Sequence, residues 1–318
     1  MDVVCAGILI ADIFASPIDS LPAAGELRLV DRYVLSAGGC AANTAACLRR
    51  LGRSVRVIGK VGEDLLGDFV LKDLEGLGID ASSVARSSSH PTSNTYIVNV
   101  RREDRRYLHC IGANADFRLA DINLSVLDGA RVLYVGGYMV LPAFGPDDLA
   151  RLFHQAKRRG LMTVLDVVIG AASRAALEQV APALPYTDLF LPNDDEARIL
   201  TGEEDPTHQA EVLAQFNPNC IIAITLGRRG ALTRLRGELI RAKAFDVNSI
   251  DESGAGDAFA AGFVTGMLEN WPQDETLRFA SAVGASCTRA LGCTEGVFHF
   301  DEARTFIARN PLQITRVA

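Results

Sequence analysis

The chain has 318 residues, of which 48% are hydrophobic and 22% are charged, a composition typical of a globular protein. Its formal net charge of -7 and the lack of a long run of Lys or Arg argue against a nucleic-acid-binding protein. No apolar run approaches the ~20 residues that a membrane span needs. The seven cysteines are scattered and include no C-x-x-C pair, so their spacing predicts neither a disulfide framework nor a zinc site.

The first segment, "MDVVCAGILIADIF", predicts a buried strand. It carries Asp2 and Asp12 rather than the basic residues that begin a signal peptide. We therefore expect a cytoplasmic protein.

Further along the chain, mostly unbroken apolar runs alternate with segments of helical spacing. Unbroken runs are typical of strands buried on both faces, and the alternation predicts an α/β fold with a parallel sheet covered by helices. The predicted strands are 55–61, 131–137, 161–168, 188–192 and 220–226. The predicted helices are 40–51, 65–77, 147–159, 173–183, 207–216 and 274–291, with an apolar helical stripe at Phe259, Phe263 and Met267. No composition shift marks a second independent domain, so one domain over 1–318 is expected.

Two segments depart from this alternation of strands and helices. Residues 13–35 and 92–111 alternate apolar with polar residues and predict antiparallel strands of a small projecting sheet. The cluster "RREDRR" in the second segment predicts a solvated hairpin tip. The alternative is that its arginines turn inward and bind a phosphate: Arg101, Arg102, Arg105 and Arg106.

The stretch "DESGAGDAFAAGFVTG" predicts a glycine turn that leads into an apolar helix. Gly254 and Gly256 allow a tight turn whose N–H groups point at one place, and the helix N-terminus adds positive potential, an arrangement that binds phosphate. Asp257 then lies in the first turn of the helix. Its carboxylate is either a capping charge or a functional group, and the stretch alone leaves both open.

Other motifs place polar residues beside glycine turns. "SAGGCAANTAACLRRLG" sets Gly38 and Gly39 before a helix and Asn43 in its first turns, either for ligand binding or for helix packing. "GKVGEDLLG" places Asp64 as a predicted helix cap. "LPNDDEARILTG" and "TLGRRG" each follow a predicted strand, at the position where open α/β sheets bind ligands.

The motifs "GGCAAN", "GKVGEDLLG", "NDDE", "TLGRRG" and "DESGAGD", in this order, resemble the ribokinase family of sugar kinases, also called the PfkB family. The resemblance covers nearly the whole chain. It implies a three-layer α/β/α core with a β-sheet lid, and transfer of the γ-phosphate of ATP to a hydroxyl of a small polyol, usually a sugar. It also implies ATP and Mg²⁺ as cofactors, with K⁺ as a candidate activator.

The resemblance also implies roles for individual residues. Asp257 matches the family's catalytic base. The residues that match its anion hole are Gly254, Ala255 and Gly256. The positions that hold the sugar match Asp12, Gly38, Gly39 and Asn43. The nucleotide positions match Asn193, Thr225, Gly227, Gly230 and, beside the adenine, Gly284. Glu196 matches the residue that places Mg²⁺ through water, and Asp251 matches a candidate monovalent-cation position.

Three departures from the family pattern bear on the substrate and the cation. Glu252 replaces the usual Thr beside Asp251, and Cys40 replaces the Lys of ribokinase itself. Residues 134–142 lack the acidic residue that ribokinase supplies to its sugar, so ribose is not favoured over other sugars.

Two other functions stay open at this point. One is a nucleoside kinase of the adenosine kinase type, whose lid would pack aromatic residues on a base: Phe14, Tyr96, Tyr107 and Tyr138. The other is a non-catalytic sugar-binding protein. Because a projecting sheet leaves open edges and an apolar face, we also predict a homodimer through 13–35 and 92–111.

Overall fold

The computed structural model describes residues 1–101, 106–169 and 176–317. Its strands are β1 Val3–Gly7, β2 Ile10–Ala15, β3 Tyr33–Gly38, β4 Val55–Ile58, β5 Lys60–Gly62, β6 Ala85–Ser87, β7 Asn94–Val98, β8 Arg106–Cys110, β9 Val132–Tyr138, β10 Met162–Val167, β11 Leu189–Phe190, β12 Ile221–Thr225, β13 Ala231–Leu235, β14 Glu238–Ala242 and β15 Ile314–Val317. Its helices are α1 Cys40–Arg50, α2 Leu65–Gly76, α3 Pro146–Arg158, α4 Ala176–Val180, α5 Asp194–Thr201, α6 Pro206–Ala214, α7 Ala255–Leu268, α8 Gln273–Cys287 and α9 Phe300–Arg309. Among the described residues, no helix is both long and apolar enough to cross a bilayer.

The large sheet has the strand order β15-β14-β13-β12-β11-β10-β9-β1-β4. The strands from β4 to β12 in this order run parallel, and those from β12 to β15 antiparallel. Along β1, Val3 and Cys5 pack with helices α1, α2, α7 and α8, whereas Val4 and Ala6 pack with α3, α5 and α6 on the opposite face. The predicted three-layer α/β architecture with a mostly parallel sheet is confirmed.

The sequence analysis did not predict β13, β14 and β15. The first two form an antiparallel hairpin in which buried residues are mixed with partly exposed ones, and β15 pairs with β14 from a distant part of the chain. Because such half-buried strands gain stability from their partners, local sequence predicts them less well than the buried parallel strands.

A second sheet has the strand order β3-β2-β7-β8. Strands β2 and β3 lie at the two ends of the predicted lid segment 13–35, and β7 and β8 at the two ends of the segment 92–111. The connection 16–32 is mostly irregular. It contains Pro17 and Pro22, which cannot donate to a strand ladder, and Gly25, which has a left-handed φ of 81°. Residues 102–105, in the predicted hairpin tip, lie outside the described residues, as do 173–175 of a predicted helix.

Helix α7 follows the glycine turn and is largely buried. Gly254 adopts a left-handed φ of 72°, and a Cβ at this position would meet the Cys293 carbonyl oxygen at 2.2 Å. The helix packs between α1 and α8, with Phe259 and Phe263 in the core. Only a glycine fits this turn, which fixes where the first turn of α7 begins.

We expect Phe263→Ala to lower the free energy of unfolding by about 3–5 kcal/mol, because the ring is fully buried and its loss leaves a cavity. Leu65→Ala is the control, since Leu65 is 86% exposed and its loss should change stability by no more than about 0.5 kcal/mol. Urea unfolding of both variants measures the difference. Equal effects would contradict the packing described for α7.

Candidate active site

The first turns of α1 and α7 meet at a pair of polar side chains. Asn43 Nδ2 donates a hydrogen bond of 2.9 Å to Asp257 Oδ2. The Cys40 thiol, at the start of α1, also lies within hydrogen-bonding reach of the Asp257 carboxylate. In the described part of the chain, Asp257 thus pairs with side chains of another helix rather than with backbone N–H groups of its own.

The electrostatic environment of Asp257 suits a proton acceptor. Removal from water raises the pKa of its carboxyl to about 6, with the negative Asp12 acting in the same direction. The hydrogen bonds from Asn43 and Cys40 act in the opposite direction. A carboxylate with this pKa is ionised at pH 7 and accepts a proton more readily than an ordinary Asp.

The predicted sugar-binding residues surround a buried carboxylate on the lid sheet. Asp12 is 6% exposed, and this burial raises the pKa of its carboxyl to about 6. A hydrogen bond from the Thr95 side chain lowers the pKa but does not cancel the effect of burial. A Cβ on Gly38 would lie 1.9 Å from Asp12 Oδ2, so glycine leaves the space that the carboxylate fills. Gly39 caps α1 with a left-handed φ of 89° and accepts a hydrogen bond from the Asn43 N–H.

Asn193 and Glu196 form a capping box at the start of α5. The Asn193 side chain accepts from the Glu196 N–H, and the Glu196 carboxylate accepts from the Asn193 N–H, each at 2.9 Å. Burial, with the nearby charges of Asp195 and Asp257, raises the pKa of Glu196 to about 7. The N-x-x-E motif therefore has a structural explanation, and it also places a carboxylate near Asp257.

The sequence analysis missed Asp166, at the carboxyl end of β10. Its carboxylate accepts a hydrogen bond of 2.8 Å from the Tyr134 hydroxyl. Burial and the charges of Asp257 and Glu196 raise its pKa well above the usual range. The available signal was a charged residue near the end of the apolar run "LMTVLDVV", on the sheet edge where ligands bind.

A cavity of about 400 Å³ adjoins the glycine turn and collects most of the predicted nucleotide-binding residues. Its lining includes Thr225, Gly227, Gly230 and Gly284, together with Ala255 and Gly256. Asn193 is not part of this lining but pairs with Thr225 through a β-bridge. The Ser281 hydroxyl, which the sequence analysis missed, also lines the cavity, and it is buried with no hydrogen-bond partner among the residues that the structure describes. The cavity walls therefore offer polar groups that a ligand can engage.

Asp251 and Glu252, side by side in the sequence, have different surroundings. Asp251 is buried and accepts from the N–H groups of Ser253 and Gly292, which ties the glycine turn to the loop after α8. Glu252 is exposed and forms an ion pair of 3.0 Å with Arg228 beside the cavity. Glu252, which stands where the family has threonine, is therefore paired with Arg228 on the surface.

A mostly parallel sheet, a glycine turn at a helix N-terminus and a carboxylate beside it form an arrangement suited to phosphoryl transfer. The chain belongs to the pfkB family of carbohydrate kinases, whose model matches residues 1–298.

Individual proteins of this class are similar to the chain over most of its length. It is 29% identical to a ribokinase of Haemophilus influenzae, over 89% of this chain and 91% of that one. It is 25% identical to a 5-dehydro-2-deoxygluconokinase of Clostridium perfringens, over 92% and 89%. A protein of E. coli classed as ribokinase II, solved with ATP and Mg²⁺, has the same fold, with a TM-score of 0.82, 19% identity and coverage of 97% and 99%.

We expect Gly38→Ala to raise the KM for an accepted sugar by about tenfold or more, because a displacement of about 1 Å in a binding group can cost up to about 10²-fold. The added Cβ would collide with the buried Asp12 carboxylate. Steady-state kinetics at saturating ATP measures the effect. Gly145→Ala is the matched control, since a Cβ there meets nothing within 4 Å and its φ is -77°. An unchanged sugar KM in Gly38→Ala would remove Asp12 from the sugar site.

Proposed function

We propose that this protein transfers the γ-phosphate of ATP to a hydroxyl, preferentially a primary one, of a monosaccharide or sugar acid. The observation that carries the proposal is the Asp257 carboxylate, which is held by Asn43 at the start of α7, next to the glycine turn that lines the cavity. Membership of the pfkB family supports the reaction class. The names of the relatives, one acting on ribose and one on a sugar acid derivative, support a small polyol without selecting one.

Asp257 is proposed to accept the proton of the attacking hydroxyl. With a pKa raised to about 6, its carboxylate is ionised at pH 7 and requires no other group to activate it. The hydrogen bond from Asn43 engages Oδ2 of the carboxylate, and Oδ1 is proposed to accept the proton of the substrate hydroxyl. The hydroxyl oxygen becomes more nucleophilic as its proton leaves.

Gly254, Ala255 and Gly256 are proposed to form the anion hole. Their N–H groups belong to the cap and first turn of α7, where an α-helix leaves backbone donors without partners inside the helix. The Ala255 N–H donates a long hydrogen bond of 3.4 Å to the Glu252 carbonyl oxygen, which a phosphoryl oxygen would replace or share. Donors fixed in this way stabilise charge on the phosphoryl oxygens without reorganising during the reaction.

The sugar is proposed to lie between Asp12 and Asn43, against the backbone of Gly38 and Gly39. Asp12 offers acceptors, and the buried Asn43 Oδ1 has no hydrogen-bond partner within the described residues. A sugar hydroxyl would satisfy this oxygen, whose burial without a partner is otherwise costly.

ATP is proposed to occupy the cavity beside the glycine turn, on Thr225, Gly227, Gly230 and Gly284, with Asn193 behind Thr225. Mg²⁺ prefers carboxylate oxygens, and Glu196 and Asp166 place two carboxyl groups close enough to Asp257 to feel its charge, so this donor set fits the ion. Glu196 would hold Mg²⁺ through water, where the ion offsets charge on the phosphates. Asp251 is proposed to mark a monovalent-cation position, which is tested by assays with and without K⁺.

ADP release with Mg-ATP, measured across ketoses, aldoses, sugar acids, sugar phosphates and nucleosides, tests the proposed reaction. We expect a sugar or sugar acid to give the strongest signal, and Asp257→Asn to lower kcat by about 10²–10⁴-fold, as expected for loss of a general base. Asp274→Asn is the matched control, because Asp274 lies in the first turn of α8 and serves there as a helix-end charge.

Each outcome of this assay separates the functions left open by the sequence. A preference for nucleosides would replace the sugar with a nucleoside as the acceptor. Sugar binding without ADP release would favour a non-catalytic sugar-binding protein. Normal turnover in Asp257→Asn with an intact fold would remove Asp257 as the base.

We also propose that the lid sheet forms a homodimer. Pairing across β3, β2, β7 and β8 aligns Leu35, Ile13, Tyr96 and Leu108 in one row, and of these Tyr96 and Leu108 are 44% and 70% exposed. An exposed apolar row on a small sheet is a surface that a second copy can cover.

Leu108→Asp should therefore yield a monomer at micromolar concentration, because it puts a charge into the covered face. Leu65→Asp, at an exposed leucine on α2, should leave the dimer intact. Sedimentation velocity distinguishes the two states. A monomeric wild-type protein would reject the dimer directly.

A further inference from the structure

Asp257 and two side chains beside it form a group that the proposed phosphotransfer does not fully use. Cys40 Sγ and one oxygen each of Asp166 and Asp257 all lie within 4.8 Å of one another. They come from α1, β10 and α7, so no spacing in the sequence reveals them. Tetrahedral Zn²⁺, with bonds of about 2.0–2.3 Å, places its ligand atoms roughly 3.5 Å apart, which small side-chain movements can reach from this arrangement.

Other side chains already orient this group. The Tyr134 hydroxyl donates to one oxygen of Asp166, and Asn43 Nδ2 donates to one oxygen of Asp257. Each carboxylate keeps a second oxygen. Outer contacts of this kind fix the orientation of metal ligands in proteins. The Asn43 amide, 6% exposed, also has an oxygen to which no group in the described part of the chain donates a hydrogen bond.

The group carries negative charge that its surroundings do not balance. Within the described residues, neither Asp166 nor Asp257 forms an ion pair with Lys or Arg. Burial and neighbouring carboxylates raise the pKa of Asp166, and burial with the charge of Asp257 raises the pKa of the Cys40 thiol. A bound cation would offset this charge. Because thiolate is a soft ligand, the site favours a zinc-class cation over Mg²⁺.

We propose that Cys40, Asp166 and Asp257 bind a zinc-class divalent cation, and that the bound cation inhibits the enzyme. On binding, the Cys40 S–H bond breaks and the sulfur electron pair forms the bond to the metal. The thiol proton passes to solvent, and so does the proton of Asp166 where that carboxyl is protonated. Both carboxylates bind as anions, and nothing is oxidised or reduced. The inhibition rests on the proposed role of Asp257, whose carboxylate the metal would withdraw from the sugar hydroxyl. The binding site itself does not depend on that role.

Titration of the reduced, metal-free protein with Co²⁺, in the absence of nucleotide, tests binding directly. We expect one Co²⁺ per chain and a thiolate-to-cobalt charge-transfer absorption that Zn²⁺ removes by displacement. Millimolar Mg²⁺ should leave the absorption in place. Its absence, or its removal by Mg²⁺ as readily as by Zn²⁺, would overturn the proposal.

Cysteine variants identify the thiolate. Cys40→Ser should lose the absorption and weaken Zn²⁺ binding by at least about tenfold, since the loss of even an outer contact can cost about 10–100-fold. Cys293→Ser and Cys110→Ser are the matched controls, at a cysteine near the glycine turn and at an exposed one on β8. Absorption retained in Cys40→Ser would overturn the proposal. Asp166→Asn provides a second test that keeps the cysteine.

Inhibition is measured separately, with free Zn²⁺ fixed by a metal buffer so that chelation by ATP does not enter. We expect micromolar Zn²⁺ to inhibit Mg-ATP-dependent turnover of the wild type, and Cys40→Ser to need at least about tenfold more, in line with its weaker binding. Equal sensitivity would overturn the inhibitory role. A protein without turnover on any acceptor would contradict the proposed kinase function, whereas the cobalt absorption would still decide the metal site.

Discussion

Negative charge held partly buried at the N-terminus of α7 is the constraint on which the rest of the site depends. A carboxylate removed from water must be stabilised by hydrogen bonds or by nearby positive potential. Asn43 supplies the hydrogen bond from α1, and the glycine turn places Asp257 where the helix end offers positive potential. Because these two helices also pack on each other in the core, the charge and the hydrophobic layer beneath it are positioned together.

The same constraint explains the raised pKa values around this centre. Asp12, Asp166 and Glu196 approach from the lid sheet, from β10 and from α5, and each is largely withdrawn from water. Burial is the largest cause of each raised pKa, and the charge of Asp257 adds to it for Asp166 and Glu196. Several acids in one place make the site attractive to cations. Mg²⁺ with ATP is one way to offset this charge, and a thiophilic cation on Cys40 is another.

The lid sheet would connect the proposed sugar site to the surface of the molecule. Its strand β2 carries Asp12 on the buried side and Ile13 on the opposite side, next to exposed Tyr96. Since successive residues of a strand face opposite sides, one strand can contact a sugar and a second copy of the chain. Dimer formation would then bear on how firmly Asp12 is held.

The sequence by itself determined the α/β class, most of the parallel strands and the glycine turns, because periodicity and glycine placement follow from local backbone geometry. It also identified Asp12, Asn43 and Asp257 as separate candidates. Only the tertiary structure decided that Cys40, Asp166 and Asp257 share one place, and that β13, β14 and β15 extend the sheet. Contacts between residues far apart in the chain depend on how helices and strands pack. No pattern within one segment records that packing.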